Sequence, residues 1–152
     1  MIGPLTLTGE IMEISRVMKA TRKEPELLHS ILSNATKTIM NYVTLLESSG
    51  AEMISPKLFY EFSGKYCERI ISDGIKGMSV LHICGDTNHL IPEMEKVGAD
   101  GLSLDKQVDF PKTYDALNSD TVLIGNLDPV SVISFKEPAV IEEKTRELIQ
   151  RS

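Results

Sequence analysis

The sequence has only two cysteines, Cys67 and Cys84, which is too few for a disulfide framework. It also has no apolar run that approaches the roughly 18–20 residues of a membrane span. Its N-terminus lacks the charged start and the long apolar core of a signal peptide. We therefore expect a cytoplasmic protein with no membrane partner, whose thiols stay reduced and available for metal.

Positive charge is scarce as well. The chain has 16 Lys and Arg against 22 Asp and Glu, a formal net charge of -6, and no Lys/Arg cluster. A nucleic-acid-binding protein needs a basic face, so we expect no nucleic-acid partner. With 152 residues, 41% of them hydrophobic, the chain can bury one sizeable core. Since no repeat, low-complexity tract or linker interrupts it, we predict a single domain over residues 1–152.

The first half of the chain has mostly helical periodicity. A short apolar segment (residues 2–7) leads to a helix that is predicted to start at Thr8. A longer helix is predicted from Pro25, a typical first helical residue, to Gly50, a typical C-terminal cap. A third helix is predicted to start at Pro56.

The second half alternates between strand and helix patterns. The predicted strands cover residues 78–83, 101–104 and 121–124, and the predicted helices cover residues 88–97, 109–117 and 138–149. Strands that alternate with helices through short loops are typical of a parallel sheet with right-handed crossovers.

Polar side chains follow the predicted strands directly. These residues are His82, Cys84, Asp86, Asp105, Asn126 and Asp128. Such a distribution is expected of a (β/α) barrel with its site at the carboxyl ends of the strands. An open doubly wound sheet would place them similarly, and the pattern alone does not separate the two folds.

The motif His82-Ile83-Cys84 is the strongest candidate for chemistry. On a β-strand, His82 and Cys84 share one face, and imidazole and thiolate are both good zinc ligands. The competing interpretation is a core histidine beside an inert cysteine. A third ligand is needed, and the nearby candidates are Asp86, His89, Asp105 and Asp128.

The other polar residues have structural as well as functional interpretations. Asp105 could be a ligand, a general base or a substrate contact, or a loop carboxylate. Asn126 and Asp128 lie in a turn whose chemistry they could simply satisfy. Cys67 is expected to pack in a helix and His29 to be solvated.

Three segments together resemble the uroporphyrinogen decarboxylase superfamily. They are LHICGDT at residues 81–87, GLSLD at residues 101–105 and LIGNLDP at residues 123–129, in the family's order. Within the superfamily the His-x-Cys-Gly pattern resembles the zinc-dependent methylcobamide:coenzyme M methyltransferases, whereas the decarboxylases lack this pair. The resemblance implies an α/β fold of the (β/α)8 TIM-barrel type.

The resemblance also implies a reaction. This is methyl transfer from a methylated corrinoid protein to a small thiol such as coenzyme M, with zinc held by His82 and Cys84. Zinc suits that role because a metal-bound thiol is deprotonated at neutral pH, and the thiolate is the nucleophile. Asp105 and Asn126 would support the metal or position the substrate.

The chain departs from the family in length. A closed barrel needs about 250 residues, so we expect an incomplete barrel of about five parallel strands, shortened at both ends. Residues 50–52 run almost directly into residues 54–56, where family members have a strand. The late glycine-rich stretch that supplies a further cysteine ligand has no counterpart. Exposed barrel edges predict self-association.

Two other functions remain open. A decarboxylase acting on a porphyrinogen would need an arginine-rich pocket, and the strand ends here carry no arginine. A catalytically inactive fragment would instead act as a binding module for a corrinoid protein or a second barrel fragment.

Overall fold

The computed structural model describes residues 3–39, 45–47, 53–75, 77–118 and 120–150. Four parallel strands form one sheet in the order β1-β2-β3-β4, with helices between successive strands. The arrangement is the α/β architecture expected of an incomplete barrel. It has four strands in the described residues, where about five were expected.

Three helices open the chain: α1 (Pro4–Met12), α2 (Ile14–Lys23) and α3 (Pro25–Ile39). Helix α1 starts at Pro4 rather than at the predicted Thr8, because proline is favoured in the first turn of a helix. Glu13, with a φ of 68°, separates α1 from α2.

The predicted helix from Pro25 to Gly50 is wrong in its second part. Leu45–Glu47 is strand β1, and Leu46 stands in register with His82 of β2. The strand that pairs with β2 therefore precedes Gly50 in the chain, whereas the family's strand was expected between residues 50–52 and 54–56. Other residues of the predicted helix (40–44 and 48–50) lie outside the described residues.

A compound helix follows. It runs through α4 (Pro56–Phe59), a π-helical turn (Tyr60–Gly64) and α5 (Lys65–Gly74). Its start matches the prediction, since the Ser55 hydroxyl accepts a hydrogen bond from the Leu58 N–H at 3.4 Å.

The second half confirms the predicted alternation. In order, its elements are β2 (Val80–Ile83), a 3-10 turn (Asn88–Leu90), α6 (Ile91–Lys96), β3 (Gly101–Leu104), α7 (Phe110–Ala116), β4 (Val122–Ile124), a π-helical turn (Pro129–Ser134) and α8 (Pro138–Gln150). The turn over Pro129–Ser134 was not predicted. None of the helices in the described residues is long and apolar enough to cross a membrane.

The core lies on one face of the sheet, which we call the outer face. Leu81 and Ile83 of β2 and Leu102 and Leu104 of β3 point there and are almost completely buried. They pack with side chains from the helices, including Phe59, Phe62, Ile70, Leu90 and Met94. Alternation along each strand therefore sends the remaining residues to the opposite, inner face.

The inner face carries Val80, His82, Ser103 and Ile124 and is more open. Val122 and Ile124 of β4 are 54% and 42% exposed, although both are large and apolar. In a closed barrel these side chains would fill the interior.

Candidate metal centre at the carboxyl edge of the sheet

His82 lies on the inner face of β2 and is held by the neighbouring strand. Its Nδ1 is 2.9 Å from the carbonyl oxygen of Ser103 and 3.0 Å from the Ser103 Oγ. A carbonyl can only accept, so Nδ1 carries the proton and donates it. In the neutral ring, Nε2 therefore keeps a free lone pair, which is the arrangement typical of a metal-binding histidine.

The Cys84 thiol stands in front of that lone pair. Its Sγ is 3.2 Å from the His82 Nε2, and the side chain is exposed. Ideal zinc bonds at a tetrahedral angle would put the two atoms about 3.5 Å apart. The strand alternation that the sequence predicted thus brings together two donors that fit two corners of a zinc site.

A third ligand does not join them. Among the residues that the structure describes, no group of three His, Cys, Asp or Glu could hold a metal ion. Asp86 instead accepts from the Asn88 N–H at 3.1 Å and from its Nδ2 at 2.6 Å. These bonds hold the pKa of Asp86 below its ordinary value. His89 is engaged elsewhere, with Nε2 3.2 Å from the Ile54 carbonyl.

Asp105 connects the loop after β2 to the loop after β3. One carboxylate oxygen accepts from the Gly85 N–H at 3.1 Å, and the other accepts from the Gln107 N–H at 3.2 Å. Gly85 follows Cys84 directly, so this bond restrains the segment that carries the thiol. In the structure both Asp105 carboxylate oxygens therefore accept from backbone N–H groups of these loops, close to His82 and Cys84.

Asn126 makes the corresponding connection from the loop after β4. Its Nδ2 donates to the carbonyl oxygens of Asp105 at 2.9 Å and Val108 at 2.6 Å. The loop of residues 105–109, which we call the β3 loop, is therefore hydrogen-bonded to both neighbouring loops.

Asp128 caps the π-helical turn that follows β4. It accepts from the N–H groups of Val130 and Ser131 and from the Ser131 hydroxyl, and it pairs with the Lys106 ammonium at 2.9 Å. The Lys106 contact is the largest cause of its lowered pKa, followed by the bonds from Ser131. Asp128 is thus engaged in turn chemistry and an ion pair.

A cleft of about 860 Å³ extends from His82 along the ends of β3 and β4. Asp105, Asn126 and Lys106 contribute polar groups to it. Its apolar wall comes from the loop and the π-helical turn after β4 and from α8: Leu127, Val130, Ile133, Leu148 and Ile149. A small polar substrate could therefore reach His82 beside an apolar surface.

Sequence reasoning missed Ser103 and Lys106. Ser103 had a usable signal, since it occupies an inward position on the strand next to the predicted histidine. Cys67 is fully buried, as expected. The prediction for His29 holds only in part: its side chain is 28% exposed, while its ring stacks on Phe62 and its Nδ1 is 2.7 Å from the Tyr66 hydroxyl.

The chain is similar to curated enzymes of two kinds. A methylated-thiol–coenzyme M methyltransferase of Methanosarcina mazei is 27% identical over 97% of this chain and 43% of its own length. The methylcobamide:CoM methyltransferase MtbA of Methanosarcina acetivorans is 29% identical over 98% and 48%. Uroporphyrinogen decarboxylase 2 of Oryza sativa is 28% identical over 89% and 40%. The chain thus spans less than half the length of these relatives.

A solved structure supports the fold. A methyltransferase from Methanosarcina mazei superposes with a TM-score of 0.88 at 22% identity, over 100% of this chain and 49% of that one. The family profile described as uroporphyrinogen decarboxylase (URO-D) matches residues 1–152. The chain therefore belongs to the URO-D family and has its TIM-barrel type of fold, represented here by an incomplete barrel.

Proposed function

We propose that this chain is the zinc-binding part of a methyltransferase that moves a methyl group from a methylated corrinoid protein to a thiol such as coenzyme M. The observation that carries the proposal is the His82–Cys84 pair, with Nε2 and Sγ 3.2 Å apart and both on the inner face. Two of the methyltransferase relatives named above match almost the whole chain.

His82 and Cys84 would hold the zinc, which supplies deprotonation of a bound thiol at neutral pH. The chain's own residues prepare this site. The Ser103 carbonyl keeps the His82 proton on Nδ1, and so leaves Nε2 free to bind. Asp105 holds the backbone after Cys84 through the Gly85 N–H. The apolar wall of the cleft would shield one side of a substrate thiol bound there from water.

The decarboxylase alternative is less well supported by the cleft. A porphyrinogen carries several carboxylates, which call for arginine side chains. No arginine lines the cleft in the described part of the chain, and its one lysine there, Lys106, is already paired with Asp128. The part of the cleft that the described residues line thus offers no unpaired cationic side chain for a polycarboxylate substrate.

Metal binding by the purified chain tests the proposal. We expect the cadmium–thiolate absorption band to appear on titration with Cd²⁺, and to strengthen when coenzyme M is added as a further sulfur donor. Cys84→Ser should abolish it, and His82→Ala should shift it to much higher Cd²⁺ concentrations. His29→Ala and Cys67→Ala are matched controls on the other side of the sheet and should retain it. A band that is unchanged in both of these variants would refute metal binding by His82 and Cys84.

A second measurement separates an enzyme from a binding module. Methylcobalamin and coenzyme M are supplied to the zinc-loaded chain, and demethylated cobalamin is followed by its absorbance. Turnover that depends on Cys84 supports the proposal. Binding of a corrinoid protein in size-exclusion chromatography without any turnover would favour the inactive module, and the same run reports self-association.

A further inference from the structure

The segment of residues 85–88 is fastened to the β3 loop at both of its ends. At one end the Gly85 N–H donates to the Asp105 carboxylate at 3.1 Å. At the other end the Asn88 side chain donates to the Gln107 carbonyl at 3.1 Å and accepts from the Asp109 N–H at 3.0 Å. The stretch between these two attachments begins directly after Cys84.

The three partners of Asn88 determine how its amide is oriented. Its Nδ2 faces two acceptors, the Asp86 carboxylate and the Gln107 carbonyl, and its Oδ1 faces a backbone N–H. Neither aspartate nor a hydrophobic residue could serve all three partners, because only an amide has both donors and an acceptor there. An asparagine amide at position 88 can therefore make all three hydrogen bonds at once.

Thr87 makes the segment costly to hold in this shape. Its side chain is fully buried, and its Oγ1 has no hydrogen-bond partner among the described residues. A buried hydroxyl without a partner costs more than an average hydrogen bond contributes. The attachments at Gly85 and Asn88 therefore hold the segment in a shape that carries this cost.

We infer that Asn88 is a positioning residue for Cys84. By holding residues 85–88 on the β3 loop against the cost of burying Thr87, it keeps the Cys84 Sγ in front of the His82 Nε2. The inference rests on the proposed function only for its metal readout. Its structural part concerns the loop alone.

Amide hydrogen exchange tests the structural part without any metal. In Asn88→Ala, the exchange of the Gly85 and Gln107 amides should accelerate at least about tenfold, while the strand amides of Leu81 and Leu102 keep their rates. Asn118→Ala is the matched control, since Asn118 is also exposed and its Nδ2 bonds, within the described residues, to the nearby Ala116 carbonyl. Equal exchange in the two variants would overturn the inference.

A second substitution at Thr87 distinguishes the proposed role of Asn88 from a general loss of structure. Thr87→Val keeps the shape and removes the hydroxyl, so alone it should leave the protein as stable or more stable. Combined with Asn88→Ala, it should return the Gly85 exchange to within about twofold of the parent rate. If the double variant exchanges as fast as Asn88→Ala alone, Thr87 is not what Asn88 opposes. If Asn88→Ala does not fold, Asn88→Asp serves instead, with the same expected acceleration.

Cadmium titration then addresses Cys84 itself. Asn88→Ala should weaken Cd²⁺ binding by about tenfold, the size typical of lost support behind a metal ligand, and Asn118→Ala should not. Absence of the thiolate band in the parent chain would contradict the proposed function, while the exchange results would still decide the role of Asn88. A normal Cd²⁺ affinity in Asn88→Ala would contradict the positioning role.

Discussion

Gly125 stands directly against the backbone of Leu104. A Cβ at position 125 would lie 2.8 Å from the Leu104 carbonyl oxygen, closer than real Cβ contacts come. Gly125 also has a φ of 122°, which residues with side chains rarely adopt. The end of β4 therefore approaches the end of β3 because this residue has no side chain.

Gly125→Ala should destabilise the fold, since the backbone carbonyl that it meets cannot move aside cheaply. We expect a loss of at least about 2 kcal/mol in the free energy of unfolding, measured with urea. Gly77→Ala is the control, because a Cβ there meets nothing within 4 Å. It should change stability by no more than about 1 kcal/mol. Equal losses in the two variants would show that the contact with Leu104 does not matter.

The two faces of the sheet should respond differently to truncation. Leu81→Ala removes a fully buried side chain from the outer face and should cost about 2–5 kcal/mol. Val122→Ala, on the inner face, changes a residue that is 54% exposed and should stay within about 0.5 kcal/mol. Urea unfolding of both variants measures the contrast. A large loss for Val122→Ala would mean that the inner face is covered in solution.

Ser103 supports His82 mainly through its backbone. Ser103→Ala removes the hydroxyl at 3.0 Å from Nδ1 but keeps the carbonyl at 2.9 Å. The ring should therefore stay oriented, and Cd²⁺ affinity should fall by less than about threefold. His82→Ala, in contrast, should lower it by about a hundredfold or more. A loss in Ser103→Ala as large as in His82→Ala would assign the orientation to the hydroxyl.

The Asp128 carboxylate should make stability depend on pH in the acid range. Lys106 and Ser131 lower its pKa in the folded state, so the folded protein favours the charged form. This contribution is complete above the unfolded pKa of about 4, and it is lost as pH falls further. We expect Asp128→Asn, which keeps the cap, to unfold in urea with a weaker dependence between pH 5 and pH 2.5.

Glu143→Gln, on an exposed part of α8, provides the comparison for that measurement. It should follow the pH dependence of the parent chain. Asp86 and Asp100 also have lowered pKa values, through bonds from Asn88 and Ser79 respectively, so some acid sensitivity will remain in every variant. If the profiles of Asp128→Asn and the parent coincide, the ion pair with Lys106 does not form in solution.

Local sequence predicted the second half of the fold well because the apolar runs and the residues that bound them indicate the same strands. Each strand there is a short apolar run that a glycine or an acidic residue bounds, and Gly101–Leu104 was predicted to the residue. The segment before Gly50 has no such punctuation. Its apolar spacing fits a helix as well as a strand, and pairing of Leu45–Glu47 with β2 decides the matter. Such long-range pairing cannot be read from local pattern.

The candidate site also has a part that local sequence predicted and a part that it did not. Two-residue alternation predicted that His82 and Cys84 would meet, and the structure brings them together. The partners of these residues come from about 20 positions away: Ser103 for His82 and Asp105 for the segment after Cys84. Asn88 had no motif to mark it. Its role depends on carbonyl and N–H groups of the β3 loop, whose position only the folded sheet provides.

The β3 loop has a mechanical consequence for the whole edge of the sheet. It is bonded to Gly85 and Asn88 on one side and to Asn126 on the other. No one of the three loops can shift alone without breaking bonds to the next. A change in the position of Asn126 would therefore reach the segment after Cys84 through one intermediate loop.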